Sequence, residues 1–333
     1  PQHPMVDYQI DGIHRSSWTF LFGQKIPIDH ENIGREQLWS NMPLLTHPDF
    51  RGIETFDEAL TVGRRLIHGI LDHSQGLGMH ASIAFQPLEF PIEFRGCLQR
   101  PTGDSIQAGG LVCAETGELN NPKHIRAIEA RLRAYLEQWD RVDEFEFHLP
   151  EHPHAEAACA SAWHSLAKKY NLEPEFDMAD LLAQAQENYL VPGGVARSER
   201  EFKSTISMLE FMDAFFGQND LLDQMTDKKI DMTITLGGSA EQVFPFVHRV
   251  LPPGCGLRTS VDYTSSRAVR RMALLEKVDT SEMRATLTMT LQDDNVGWLP
   301  QVATENIHVL LQAMHRYGWS GYYTRYWPIG DLD

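Results

Sequence analysis

The sequence predicts an α/β fold and, within that class, most of a (β/α)8 TIM-type barrel. Three observations predict it. Strand-like and helix-like segments alternate along nearly the whole chain, with seven strands in all. The strands are short and rich in β-branched and aromatic residues, as strands of a helix-covered parallel sheet are. No Gly-x-Gly-x-x-Gly turn follows an early strand, which argues against the rival layout, an open doubly wound sheet.

The strand segments are residues 7–13, 79–85 (MHASIAF), 144–149 (EFEFHL), 231–236 (DMTITL), 257–263 (LRTSVDY), 284–291 (RATLTMTL) and 320–327 (SGYYTRYW). The first helix, 55–75, puts Ala59, Val62, Leu66, Ile70 and Leu71 on one side, with Thr55 as N-cap and Gly76 and Gly78 as its stop. The second, 123–139, repeats the pattern with Ile125, Ile128, Leu132 and Leu136. Segments 155–170, 198–216, 240–250, 265–275 and 304–317 supply further helices.

Seven strands where a barrel has eight suggest that the first is missing, so the segments above are counted as the second to eighth. The chain starts at Pro1 and stops after Asp331-Leu332-Asp333, and is expected to be a fragment truncated at both ends. Residues 1–333 are read as one domain, with an insertion at 171–200 between the fourth and fifth strands. The compartment stays open: periplasmic or extracellular if a signal peptide was removed, otherwise cytoplasmic.

Composition narrows the partners. With 42% hydrophobic and 23% charged residues among 333, the chain has the make-up of a folded globular protein. Its formal charge is −17, and no lysine or arginine run relieves it. Such a surface repels phosphate backbones and anionic lipid heads, so neither nucleic acid nor membrane is an expected partner. The longest apolar stretches are strand-sized, well short of the roughly 20 residues of a membrane helix. The four cysteines show no Cys-x-x-Cys and no zinc-finger spacing. Cys97 and Cys113 flank the loop 99–110 and are able to pair; four free thiols are the equal alternative.

Barrel active sites form where the strands end. The third strand here runs into Leu88-Glu89-Phe90, and the fourth into His148-Leu149-Pro150-Glu151-His152. The sixth ends at Asp262-Tyr263, the seventh at Asp293-Asp294-Asn295 with Trp298 close behind, and the eighth at Arg325-Tyr326-Trp327. Carboxylates on several strand ends, with tryptophan and tyrosine beside them, make the composition of a sugar-binding cleft. Aromatic faces stack on pyranose rings, and carboxylates do acid/base work on the glycosidic bond.

The segment 142–152 (VDEFEFHLPEH) and the following helix, with Ala162-Trp163 and Lys169-Tyr170, resemble barrel glycoside hydrolases of the α-glucuronidase and β-hexosaminidase types. Asp293-Asp294-Asn295 through Trp298-Leu299-Pro300, and residues 322–331, look like barrel ends in such enzymes. The resemblance covers residues 51–333 in architecture. The His-x-Gly-Gly-Asp-Glu signature of hexosaminidases is absent, which counts against that activity.

The resemblance implies a polysaccharide- or oligosaccharide-degrading hydrolase that needs no cofactor, with its general acid at the end of the fourth strand. Glu151 takes that role; the plainer reading is a solvated glutamate at a helix N-terminus. Asp293 and Asp294 supply the base or nucleophile. Adjacent carboxylates cannot both face one cleft, and Asp294 is the one preferred. Glu89 is either desolvated for function or paired with an arginine such as Arg95. Arg325 either binds a uronic-acid carboxylate or neutralises acids at the barrel mouth. Trp298 and Trp327 are stacking or core residues, and His148, His152, Asp262 and Tyr263 complete the substrate-binding set.

Two rivals remain. A metal-dependent barrel hydrolase would carry histidines on several strand ends; His148 and His152-Pro153-His154 fit in part, while the fifth and sixth strands end without histidine. A non-catalytic carbohydrate-binding barrel is the other, because fold alone licenses no chemistry.

Overall fold

The computed structural model describes residues 6–16, 26–27, 44–45, 48–98, 111–113, 119–149, 154–187, 194–237, 240–262, 264–292 and 303–326. Its central feature is a parallel sheet of six strands: β1 (Ser82–Phe85), β2 (Glu144–His148), β3 (Asp231–Leu236), β4 (Gly256–Thr259), β5 (Ala285–Gln292) and β6 (Gly321–Tyr326). They hydrogen-bond in the order β6-β5-β4-β3-β2-β1. Among the described residues the sheet curls through 204° about an axis and is flanked by helices, a half-barrel. Six of the seven expected strands are therefore members of one parallel sheet in their sequence order.

The chain divides into two compact units. The first comprises residues 1–115, 121–145 and 227–230. Here the expected strand at 7–13 folds on itself instead of joining the sheet. Gln9–Ile10 pairs antiparallel with Ile13–His14. The cause is the two residues between them: Asp11 at φ 49° and Gly12 at φ 79° form the doubly left-handed turn that closes a two-residue hairpin. Asp-Gly is among the sequences best suited to that turn, and it decides the local structure before any long-range pairing can.

Helix α1 (Phe56–Gly76) opens as expected at Thr55. The Thr55 hydroxyl accepts from the Glu58 amide at 3.3 Å, and the Glu58 carboxylate accepts from the Thr55 amide at 3.2 Å. Helix α2 (Pro122–Gln138) starts on Asn121, whose side-chain oxygen accepts from the Lys123 amide at 2.9 Å, with Pro122 where a missing N–H costs nothing. It buries Ile125, Ile128, Leu132 and Leu136. Arg131 on the same helix is also fully buried, its guanidinium 4.7, 5.5 and 5.6 Å from the ring centroids of Phe85, Phe90 and Tyr135. It donates to the Glu89 carbonyl. Burial in the same unit pushes the Tyr8 hydroxyl up to about 12.

The second unit holds residues 116–120, 146–226 and 231–333. Its helices are α3 (Cys159–Tyr170), α4 (Met178–Glu187), α5 (Gly194–Gly217), α6 (Leu221–Asp227), α7 (Val247–Val250), α8 (Ser265–Arg270) and α9 (Thr304–Arg316). Within the stretch read as an insertion, α4 is tied to α5 by the Ser198 hydroxyl, which donates to the Ala185 carbonyl at 2.7 Å. Helix α3 ends on Asn171 in the left-handed conformation, φ 52°. Arg249 secures that end by donating to the carbonyls of Tyr170 and Asn171 at 2.6 and 3.1 Å. The helix expected over 240–250 shrinks to the four residues of α7. Pro245 lacks an amide donor and biases Phe244 away from helical geometry, so turns occupy the first part.

Candidate functional site

Parallel strands covered on both faces read as unbroken apolar runs. The strands of the second unit do not. In β2, Phe147 is fully buried and packs on Phe215 and Phe216 of α5, with ring centroids 6.0 and 5.5 Å away. Its neighbours Glu146 and His148 project to the opposite face, as alternation requires. The same alternation puts Met232, Ile234 and Leu236 of β3 on the helix side and Thr233 and Thr235 on the other. Parallel register then aligns Thr235 with Arg258, Arg258 with Thr286, and Thr288 with Tyr323. One face of the sheet is thus built from Glu146, His148, Thr233, Thr235, Arg258, Thr286, Thr288 and Tyr323.

Glu146 is the centre of that face, with a side chain only 10% exposed. Its Oε1 accepts from the Thr235 hydroxyl at 2.5 Å and lies 3.2 Å from His148 Nδ1. Its Oε2 accepts from Nη1 of Arg258, whose side chain is 13% exposed. The Arg258 guanidinium also sits 5.2 Å from the centroid of the Tyr323 ring. Glu146 reaches Arg258 across β3, and Arg258 reaches Tyr323 across β5. Each contact spans two strand spacings, roughly 10 Å of sheet, as a concave face permits.

Burial alone would raise the Glu146 pKa. The hydrogen bond from His148, the positive charge of Arg258 and the hydrogen bond from Thr235 outweigh it, and the carboxyl is held below its ordinary value. Glu146 is therefore an ionised acceptor, suited to orienting a histidine and an arginine and unsuited to giving up a proton. His148, 37% exposed, is the member of this trio that meets solvent.

Below the ion pair the packing is tight. A Cβ on Gly256 would lie 2.8 Å from the Thr233 hydroxyl oxygen, so β3 and β4 meet there only because residue 256 has no side chain. At the other end of the sheet, the β5–β6 register shifts between Thr290 and Gln292. Such irregularities are common beside active sites, where they re-aim the chain.

Of the residues singled out in the sequence, His148 stands in this cluster. Asp262 is buried beside α8: its side chain is 1% exposed and its Oδ1 lies 3.2 Å from Nε of Arg267. Glu89 opens the strand Glu89–Pro91, which pairs antiparallel with Leu111–Cys113 in the first unit. Arg325 lies in β6 with its Cα opposite Thr290; its side chain is outside the described residues. Glu151, His152, Tyr263, Asp293, Asp294, Trp298 and Trp327 are also outside them.

Sequence reasoning missed Glu146, Thr235, Arg258 and Tyr323. The signal was present in EFEFH, DMTITL and GLRT, which alternate polar and apolar where a fully buried parallel strand would not.

Cys97, Cys159 and Cys255 are free and buried, and burial pushes Cys159 to about 11 and Cys255 to about 12. Cys97, one of the two cysteines weighed for a disulfide, is a free thiol with its sulfur 3.5 Å from the Ile10 carbonyl oxygen; the side chain of Cys113 lies outside the described residues. Among the described residues, no three His, Cys, Asp or Glu side chains gather as a metal site, and no helix is long and apolar enough to cross a membrane. No known protein-family model matches the chain, and neither curated proteins nor solved structures yield a match. What is established is an α/β fold with a curled, open parallel sheet, an architecture of the kind barrel enzymes use.

Proposed function

We propose that this chain carries the catalytic face of a glycoside hydrolase working by carboxylate acid/base chemistry on an oligo- or polysaccharide. The observation that carries the reading is the polar face of the curled sheet, with its ionised Glu146 bridging His148 and Arg258. Barrel interiors are ordinarily packed with branched apolar side chains. A buried ion pair in their place costs desolvation that packing does not return, and such an expense is typical of functional sites.

Glu146 is a positioning residue in this scheme. Its charge orients His148 and Arg258 and fixes the electrostatic field at the end of β2. Glu151 follows five residues later and serves as the general acid, giving its proton to the glycosidic oxygen as the C–O bond breaks. Asp294, or Asp293 beside it, follows β5 and serves as the nucleophile or as the base that activates water. Positive charge developing on the sugar ring is stabilised by these carboxylates.

The test is a panel of aryl glycosides of both anomers and several sugars, assayed with the wild-type chain and with Glu151→Gln, Asp293→Asn and Asp294→Asn. The reading expects hydrolysis of at least one substrate. It also expects a loss of 100-fold or more, on the order usual for general acid–base groups, for Glu151→Gln and for one of the two aspartate variants. Full activity in Glu151→Gln removes that residue from the mechanism, and no hydrolysis anywhere in the panel overturns the reading.

A further inference from the structure

Tyr323 stands out on the polar face. It is 50% exposed, on a sheet whose other polar-face residues are mostly buried or half-buried. Its chain neighbour Tyr322 is as exposed, 54%, but alternation sends it to the opposite face. Tyr323 is also held: the Arg258 guanidinium lies over its ring, and Arg258 is itself fixed by Glu146. A half-exposed aromatic ring with a guanidinium over one face and Thr288 as its register neighbour offers its other face as a surface on which a pyranose can lie flat. Its axial C–H groups meet the ring, and its hydroxyls reach the polar neighbours.

Charge then limits the sugar. Arg258 is already balanced by Glu146. An anionic sugar would meet a guanidinium already neutralised by a carboxylate, in a chain of formal charge −17.

We infer that Tyr323 is the stacking platform of a subsite for an uncharged pyranose, with Arg258 as a hydrogen-bond partner of its hydroxyls. The inference rests on the hydrolase reading for the place of reaction, but it concerns binding, so the two fail separately.

The experiment measures binding of methyl glucoside, methyl xyloside, methyl galactoside and methyl glucuronide by saturation-transfer NMR, and KM and kcat on the aryl counterparts, for wild type, Tyr323→Ala, Tyr323→Phe and Tyr322→Ala. At least one neutral sugar is expected to bind more tightly than the glucuronide. Tyr323→Ala should weaken that binding and raise KM about tenfold, on the scale of one aromatic contact, with little change in kcat. Tyr323→Phe should restore most of the loss, and Tyr322→Ala should match wild type. Equal binding by Tyr323→Ala and Tyr322→Ala, or preference for the glucuronide, overturns the inference, and the hydrolase reading survives either result if turnover is seen. Loss of neutral-sugar binding in Tyr323→Ala without any turnover upholds the subsite and removes the hydrolase.

Discussion

The two faces of the sheet in the second unit are made from the same strands and differ by one residue of register. On the helix side, Phe147, Met232, Ile234, Leu236, Leu257, Leu287 and Met289 are all buried and apolar. On the other side stand Thr233 and a linked set in which Glu146 bonds His148, Thr235 and Arg258, and Arg258 lies over the Tyr323 ring. The first face stabilises the fold by removing apolar area from water. The second returns little net stability, because a buried ion pair has to offset the cost of desolvating both charges. Under the proposed function, stability and chemistry are divided by strand alternation, so neighbouring substitutions should have opposite signatures.

The largest expected effect lies on the apolar face. Phe147→Ala removes a fully buried ring from contact with Phe215 and Phe216 and should cost about 4 kcal/mol in urea-induced unfolding. Next comes the breaking of the polar face. Glu146→Ala leaves the Arg258 charge buried without its carboxylate and should cost about 3 kcal/mol. The double change Glu146→Leu with Arg258→Met should recover most of that loss while abolishing activity, and a double variant no more stable than Glu146→Ala would show that the pair itself stabilises the fold. Also on the polar face, Gly256→Ala forces a methyl group against the Thr233 hydroxyl and should cost about 1–2 kcal/mol by the same measurement.

The smallest of these effects is one of pH. The Glu146 pKa is lower folded than unfolded, so its contribution to stability is fully present above the unfolded value, near 4.5, and is lost as pH falls through the folded one. Unfolding midpoints of wild type and Glu146→Gln, taken from pH 7 down to pH 3, should therefore converge towards the acid end. A constant gap across that range would mean that the Glu146 charge contributes nothing.

Much of the fold was legible in the sequence because its strands and helices carry strong local signals. Thr55 with Glu58, and Asn121 with Pro122, fix the starts of two helices by hydrogen bonds available to the chain alone. Six strands were recognisable from β-branched and aromatic content. The seventh was misassigned because its apolar pattern was weighed and its Asp11-Gly12 turn was not. The site was less legible. Residues 151, 152, 263, 293, 294, 298 and 327 lie outside the described residues; within the described cluster His148 was singled out, and Glu146, Thr235, Arg258 and Tyr323 were not. Glu146 meets Arg258, 112 positions away, through parallel register. Register is a property of the assembled sheet, so only the alternation in EFEFH and GLRT hinted at it.

The proposed function puts the chemistry on the polar face and none on the apolar one. It is tested most directly on adjacent residues of β2, by measuring kcat/KM on the best aryl glycoside and the unfolding midpoint for Glu146→Gln and Phe147→Leu. The account predicts that Glu146→Gln, while still folded, loses about 100-fold in kcat/KM through misplaced His148 and Arg258. Phe147→Leu should lose stability and keep its turnover. A folded Glu146→Gln protein with wild-type kcat/KM would contradict the account.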